Sequence, residues 1–565
     1  HESIYLDEID NPTSILNDEN VLGIFESTIP ASQRAIMELG SAVSFSSNAM
    51  GSLGRGLQAG FDMKNLVMSD NNKYLLKYHG DICYVLHFTT SIDYEVFVIY
   101  RSWNEIVNVF ILKPSASAQE ISENLVSSTF KKAYDRRMEN QKAFSRYGNV
   151  NKDSVFNTEH FSDYQKLLRR LSAELVKFKD EKGQQFLLLL QSPYTKKIIN
   201  STKHFKNLPI IEWTSNETEL PQLNWQNTFV TKIMKQLLFS GSWLDDMISV
   251  SQYSNIPIGN LQLDNMGYVI DVMYARRLRN ENIVLWWNQN GPLPDHAGIQ
   301  KDYDPTTSSI MNDLSFPEIN VPNVYDKAVL EVNINNLIVN TILGSTLINE
   351  AEGSDLAGGG ISSGIDLGFD NSDTPFVQDA FNENALNVLK SMLKDWWDLA
   401  LTGNQTADLL VNMFINWIQS PRSKLFDGYL RYHIHNLTKK VMFQLINEFN
   451  SLGSRVFYAD VNKLMVEVNK YNPETCYAYS QYILKAIKSN IMFKYIDLKI
   501  ERYWNILIWM DKWNFSGIAC DDIIDSDTQN YEAYSQWQIK ITLPIIFQSE
   551  FDDWMVIILD SMLKM

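Results

Sequence analysis

The sequence predicts a mixed α and β chain of several domains, and three observations point there. The length, 565 residues, corresponds to roughly three or four domains at about 150 residues each. Hydrophobic residues make up 45% and charged residues 21%, the values of an ordinary globular protein rather than a disordered or fibrous one. Short β-branched and aromatic runs also alternate with segments of helical period.

Taken in order, the elements read as follows. Within 68–113, Tyr84-Val85-Leu86-His87-Phe88 and Val96-Phe97-Val98-Ile99-Tyr100 read as strands. Residues 116–145 and 162–180 read as helices, the second with Tyr164, Leu167, Leu168, Leu171, Leu175 and Phe178 at helical spacing. Phe186 to Gln191 reads as a buried strand, and 225–239 and 270–280 as helices. Asp302 to Asn312 and Ala351 to Thr374, the latter with Gly358-Gly359-Gly360, read as linkers or long loops. A short apolar piece, Ala328 to Leu347, lies between them, and Leu386 to Leu401 is a helix with Trp396-Trp397. Leu430, Ile434, Leu437, Val441, Leu445 and Phe449 form one stripe of a long helix, which Gly453 is placed to stop. Val456-Phe457-Tyr458 and Leu464-Met465-Val466, separated by Ala459-Asp460-Val461-Asn462, predict a β-hairpin with a polar tip. From 479 onward helices are expected to dominate, with Trp504, Trp509, Trp513, Trp537 and Trp554 among them.

Composition excludes several classes. Acidic residues number 67 and basic residues 49, a net charge of −18, which argues against gripping DNA over the whole surface; a local basic groove stays open. No apolar run approaches the ~18–20 residues of a membrane span. The acidic start, His1 to Glu8, is no signal peptide. It lacks an initiator Met, so the chain reads as a fragment or as one with stretches left out. Cys83, Cys476 and Cys520 lack CxxC spacing, which points to a reducing compartment and against a disulfide frame or a cysteine zinc site.

Two motifs carry chemistry. B-family polymerases place paired aspartates at a hairpin tip in a Tyr-Gly-Asp-Thr-Asp pattern; here the window is Tyr458-Ala459-Asp460-Val461-Asn462-Lys463. Their other pattern, Asp-Phe-Asn-Ser-Leu-Tyr-Pro-Ser-Ile, on a strand entering a helix, gives a frame that Asn333-Ile334-Asn335-Asn336-Leu337-Ile338-Val339-Asn340-Thr341-Ile342 fits without a gap. With these motifs the chain resembles the C-terminal, decayed half of the catalytic subunits of the DNA polymerase epsilon family, in a fungal version. Leu220-Pro221-Gln222-Leu223-Asn224-Trp225-Gln226, Asn255-Ile256-Pro257-Ile258-Gly259-Asn260-Leu261 and Ser420-Pro421-Arg422-Ser423-Lys424-Leu425-Phe426-Asp427 support the resemblance, which covers essentially all 565 residues.

The resemblance implies a degenerate B-family DNA polymerase fold. An N-terminal domain would span 1–175 and an inactive, RNase H-like exonuclease-like domain 176–315. The palm would comprise 316–350 and 428–500, with reduced fingers at 351–427 and a helical thumb at 501–565. It further implies that catalytic residues are none. Asn333, Asp460 and Asn462 would be relics of the metal site, Ile338 would stand where the family has its sugar-selecting aromatic, and Asp245 is a possible exonuclease relic. Two-metal phosphoryl transfer needs carboxylates that hold two hard cations. Asn333 and Asn462 keep a carbonyl oxygen and lose the charge. A Lys-x-x-x-Asn-Ser-x-Tyr-Gly fingers motif is not evident between 351 and 427, and Phe186 to Gln191, matched to the first exonuclease strand, has no acid. No cofactor is expected in this chain. The family uses magnesium in its active half and cysteine-bound metal modules that should lie beyond Met565. The implied partners are the polymerase B-subunit and the replicative helicase, an MCM ring with GINS-containing accessory proteins. DNA is secondary, no membrane is involved, and the setting is nuclear.

Other candidates have blander readings. Asp521-Asp522 with Asp525 and Asp527 lacks EF-hand spacing and reads as a solvated loop. Asp245-Asp246 reads as a solvated helix end. His433 and His435, two apart on a helix, diverge and cannot share a metal as i, i+4 residues do. Lys131-Lys132 with Arg136-Arg137, and Arg276-Arg277 with Arg279, read as solvated faces. The late tryptophans are potential interface anchors, at least half of them core.

Overall fold

The computed structural model describes residues 26–46, 65–69, 82–113, 126–135, 154–213, 219–287, 319–345, 383–520 and 531–563, apart from short gaps inside these ranges. The expected loops 302–312 and 351–374 and the acidic run 521–527 lie outside them, as does most of the expected helix 116–145. The chain divides into two units, His1–Trp287 and Asn288–Met565.

The first unit begins with α1 (Ala31–Leu39) and a two-stranded sheet of β1 (Val43–Phe45) and β2 (Leu66–Met68). Next come β3 (Ile82–Thr90), β4 (Glu95–Arg101), β5 (Ile106–Leu112), β6 (Val155–Phe161), α2 (Tyr164–Lys182), β7 (Leu187–Gln191), α3 (Thr195–Ser201), β8 (Ile210–Trp213) and β9 (Glu219–Leu220). The long helix α4 (Trp225–Ser254) and α5 (Met266–Asn280) close the unit. The larger sheet has the order β6-β5-β4-β3-β7-β8, with β9 beside β3. Strands β3, β4 and β5 run antiparallel, and β7 runs parallel to β3 and to β8. β3 and β4 are buried on both faces and so read as continuous apolar runs rather than alternating ones. The stripe Leu167, Leu171, Leu175 and Phe178 of α2 packs on Cys83, Val85, Phe97, Ile99, Leu188 and Leu190; α4 covers the other face, with Phe88 edge-on to Phe229 at 5.8 Å.

Three expectations need correction here. The boundary at 175/176 falls inside α2, and one sheet takes strands from both sides of it. The helix starting at Trp225 does not stop at 239 but continues to Ser254, so Asp245-Asp246 lies within a helix and not at its end. Ser240 and Ser242 fail to break it because their hydroxyls donate to the helix carbonyls of Leu237 and Phe239, while Trp243, Leu244, Met247 and Ile248 prolong the buried stripe. Arg276 is not on a solvated face. Its guanidinium donates to the carbonyls of Met37 (3.1 Å), Ile36 (2.7 Å), Asn255 (2.9 Å) and Ser254. It thereby caps the ends of α1 and α4, where the helix dipole favours a cation. Burial lowers its pKa to about 10.

The second unit contains β10 (Ile319–Asn320), β11 (Asn323–Tyr325), β12 (Val329–Asn335), α6 (Leu337–Leu343), α7 (Glu383–Leu401), α8 (Gln405–Gln419) and α9 (Gly428–Ser451). The hairpin β13 (Ser454–Ala459) and β14 (Lys463–Val468) follows. Then come α10 (Pro473–Ser489), β15 (Asp497–Asp511), β16 (Asn514–Cys520), β17 (Tyr531–Trp537) and α11 (Ile545–Leu563). One antiparallel sheet has the order β10-β13-β14-β12-β15-β16-β17, with β11 against β15. Leu330, Val332 and Ile334 of β12 face a core built with Leu437, Val441, Leu445 and Phe449 of α9 and with Ile483 and Ile487 of α10. Val329 faces the opposite way, into an aromatic layer with Tyr325, Phe457, Trp504 and Trp509.

The expected helical thumb at 501–565 is overturned. β15, β16 and β17 extend the same sheet, and only α11 in that range is an α-helix among the described residues. The strand period of β15 is hidden by a bulge: Trp504 pairs with Ala519 and Ile506 with Ile518, so Asn505 is the extra residue. Trp504, Leu507 and Trp509 therefore share one layer despite their spacing. Gly517 permits this packing, since a Cβ there would stand 2.6 Å from Cε3 of Trp504. Trp504, Trp509 and Trp537 are buried, while Trp513 and Trp554 are exposed.

Candidate functional site

The polar hairpin tip forms where the sequence places it. α9 stops at Gly453, whose φ of 90° suits glycine alone, and the chain turns straight into β13. Asp460, Val461 and Asn462 join the strands, with Val461-Asn462 as the two-residue turn that the Asp460–Lys463 pair closes. The Asp460 N–H donates to the Lys463 carbonyl at 2.8 Å, and the Lys463 N–H donates back at 3.3 Å. On the neighbouring strand Asn333 stands opposite Lys463, and the Ile334 N–H donates to the Asn462 carbonyl at 2.8 Å. The fold thus brings Asn333, Asp460 and Asn462 to one end of the sheet. Ile338 is buried in α6, which the chain enters through Asn336 in the left-handed region.

The charges around this end are already paired. The Asp460 carboxylate accepts from the Tyr458 hydroxyl at 3.2 Å and from the Val461 N–H at 2.6 Å. The Lys512 ammonium stands 3.9 Å from it. Burial, and then the Asp460 charge, push the Tyr458 hydroxyl well above the usual phenol range, so it remains a donor. Two residues before Asn333, Glu331 is only 3% exposed. It accepts from the Trp504 indole at 2.9 Å and pairs with Lys463, whose ammonium also lies 3.8 Å from Glu501. On the other side of β12, Asn333 faces Lys499. Sequence reasoning missed Glu331, Lys463 and Lys512. The available signal was an acid inside the apolar piece 328–347, because a buried carboxylate demands a partner.

Such an end can hold its own charges but offers little to a dication. The groups gathered here are two engaged carboxylates, Asp460 and the buried Glu331, two amides and nearby ammonium groups, whereas hard cations favour oxygen-rich, anionic sites. Among the described residues no group of three His, Cys, Asp or Glu side chains could hold a metal ion.

Asp245 lies elsewhere, in the first unit. Its charge, after burial and the nearby Tyr100, helps raise the pKa of Tyr84 on β3, and it also adds to the burial that raises Asp246. The segment Phe186 to Gln191, matched in sequence to a first exonuclease strand, contains β7, which follows β3–β6 in chain order. β3 itself, Ile82-Cys83-Tyr84-Val85-Leu86-His87-Phe88-Thr89-Thr90, has no acid either. His433 and His435 both sit on α9 and are held neutral. Burial and then Lys440 and Lys390 lower His433; burial and then Lys439 and Arg431 lower His435 to about 4. Cys83 and Cys476 are buried free thiols.

A model of a domain of unknown function, DUF1744, matches residues 126–518. The chain belongs to the DUF1744 family. The match runs across both units and contains Asp245, Asn333, Ile338, Asp460 and Asn462. Over its whole length the chain is 54% identical to the DNA polymerase epsilon catalytic subunit of Saccharomyces cerevisiae and 30% identical to that of Schizosaccharomyces pombe. It spans about a quarter of the length of these relatives, 25% in each case.

Proposed function

We propose that this DUF1744 chain is a non-catalytic structural module of a DNA polymerase epsilon catalytic subunit. It joins the polymerase to its B-subunit and to the replicative helicase, the MCM ring with GINS-containing accessory proteins, during DNA replication in the nucleus. The observation that carries the non-catalytic part is the Asp460 carboxylate, held by Tyr458, the Val461 N–H and Lys512 beside Asn333 and Asn462. The β12–α6 segment and the β13–β14 hairpin support a palm reading. The order β5-β4-β3-β7-β8, with β4 antiparallel and β7 parallel to β3, supports an RNase H-like reading of the first sheet. On that reading β3 is the first strand, Tyr84 and Leu86 stand where acids would be needed, and Asp245 is the carboxylate left against it. A fold outlives its chemistry because packing residues and site residues are different sets.

The test has two parts. The purified chain, given template-primer, deoxynucleotides and magnesium, neither extends nor degrades DNA, and Asn333→Asp with Asn462→Asp does not restore extension. Extension that Asp460→Ala abolishes overturns the non-catalytic reading. In nuclease-treated buffer the chain captures purified B-subunit and helicase. Capture that needs added DNA replaces the scaffold with a passive DNA clamp.

A further inference from the structure

Among the described residues of the first sheet and α4, four polar atoms on β7 and α4 have no protein partner: Oε1 and Nε2 of Gln191, Oε1 of Gln236 and Nε1 of Trp243. Gln191, the last residue of β7, is 0% exposed. Leu188 and Leu190 of that strand join the core on the α2 side, so the alternation of a strand turns Gln191 toward α4. Its neighbours in register are Leu86 on β3 and Trp213 on β8. The Trp213 ring stacks on Trp243 of α4 at 5.0 Å.

The helix runs antiparallel to β3, with Phe229 against Phe88 near one end and the Asp245 charge acting on Tyr84 near the other. The level of Leu86 and Gln191 therefore meets the middle of α4. Gln236 and Trp243 sit there, seven residues apart and so on one helix face. Both are nearly buried, at 6% and 5% exposure. Buried hydroxyls on the same helix are paired: Ser240 donates to the Leu237 carbonyl and Ser254 to that of Val250.

Native interiors rarely leave a buried donor or acceptor unpaired, and ordered water supplies the partner where protein cannot. The set here is three N–H donors, two on the Gln191 amide and one on the Trp243 indole, and two acceptors, the Gln191 and Gln236 carbonyls. Water, which both donates and accepts two hydrogen bonds, can meet both kinds. We propose that one buried water, or a chain of two, is bound between Gln191, Gln236 and Trp243 and ties the middle of α4 to the end of β7.

Gln191→Met keeps the volume and removes two of the water's partners. With water bound, it lowers the thermal midpoint of the full chain by about 3–6 °C and speeds amide exchange in 236–243. In a dry site the same change removes two unpaired polar atoms and raises the midpoint, which overturns the proposal. Gln236→Met gives the same pair of readings if the first variant does not fold. In an experimental electron-density map, a peak within about 2.7–3.2 Å of at least three of the four atoms supports the site. Gln191 paired directly with Trp243 or Gln236 refutes it.

Discussion

At the hairpin end of the second unit, Glu331 and Asp460 each have a lysine and a hydrogen-bond donor within reach. On the α4 face of the first sheet the polar groups include instead the hydroxyls of Tyr84 and Tyr100, the indoles of Trp213 and Trp243 and the amides of Gln191 and Gln236, with Asp245 at one end. The two regions show different ways for a fold to keep polar groups buried. The first balances its carboxylates with built-in ammonium groups. The second relies mostly on neutral polar side chains, which need only hydrogen bonds. A charged network is costly to interrupt at one member, because the partner left behind is a buried charge. A neutral one loses less.

That contrast ranks the expected effects. Lys463→Met leaves the Glu331 carboxylate buried with only the Trp504 indole, and costs about 2–4 kcal/mol, below the buried-pair maximum because Lys463 is itself partly exposed. The fall in urea midpoint checks it, and adding Glu331→Leu to the same chain recovers much of the loss. An unchanged midpoint for Lys463→Met breaks the comparison at once. Gly517→Ala probes the aromatic layer beside that network. Its Cβ would meet the Trp504 ring and the Ile506 carbonyl at 2.6 and 2.7 Å, and the expected loss is about 1–3 kcal/mol, with altered near-ultraviolet circular dichroism from the tryptophans.

The smallest effect concerns pH. His435 has a folded pKa of about 4 against an ordinary 6.5, so the unfolded chain binds the proton more readily between those values. Its contribution is fully present above pH 6.5 and is lost as pH falls toward 4. Partial exposure reduces it to about 1 kcal/mol. Denaturant midpoints at pH 7 and pH 5 show a smaller acid loss for His435→Gln than for the parent chain; equal losses rule the histidine out.

Much of the fold was legible where the pattern is local. The α2 stripe, the β3 and β4 runs, and the α9–hairpin unit with its glycine stop all follow from residues within one or two turns of each other. Three features were not. The α4 extension was masked by Ser240-Gly241-Ser242, whose hydroxyls bond to their own helix. The β15 strand was masked by the bulge at Asn505. The unity of the first sheet depends on parallel pairing of β3 with β7, across more than ninety intervening residues that leave no short-range trace.

By itself the sequence determined that Asp460 sits at a hairpin tip and that Asn333 belongs to a short apolar piece, since turn chemistry and strand burial are set by near neighbours. It also placed an amide, Asn333 or Asn462, in each of the two motif windows. Only the tertiary structure decided which charges meet. Lys463 reaches Glu331 across 132 positions and Trp504 reaches it across 173. Those meetings depend on strand register, and a slip of one residue would turn each side chain to the opposite face of the sheet.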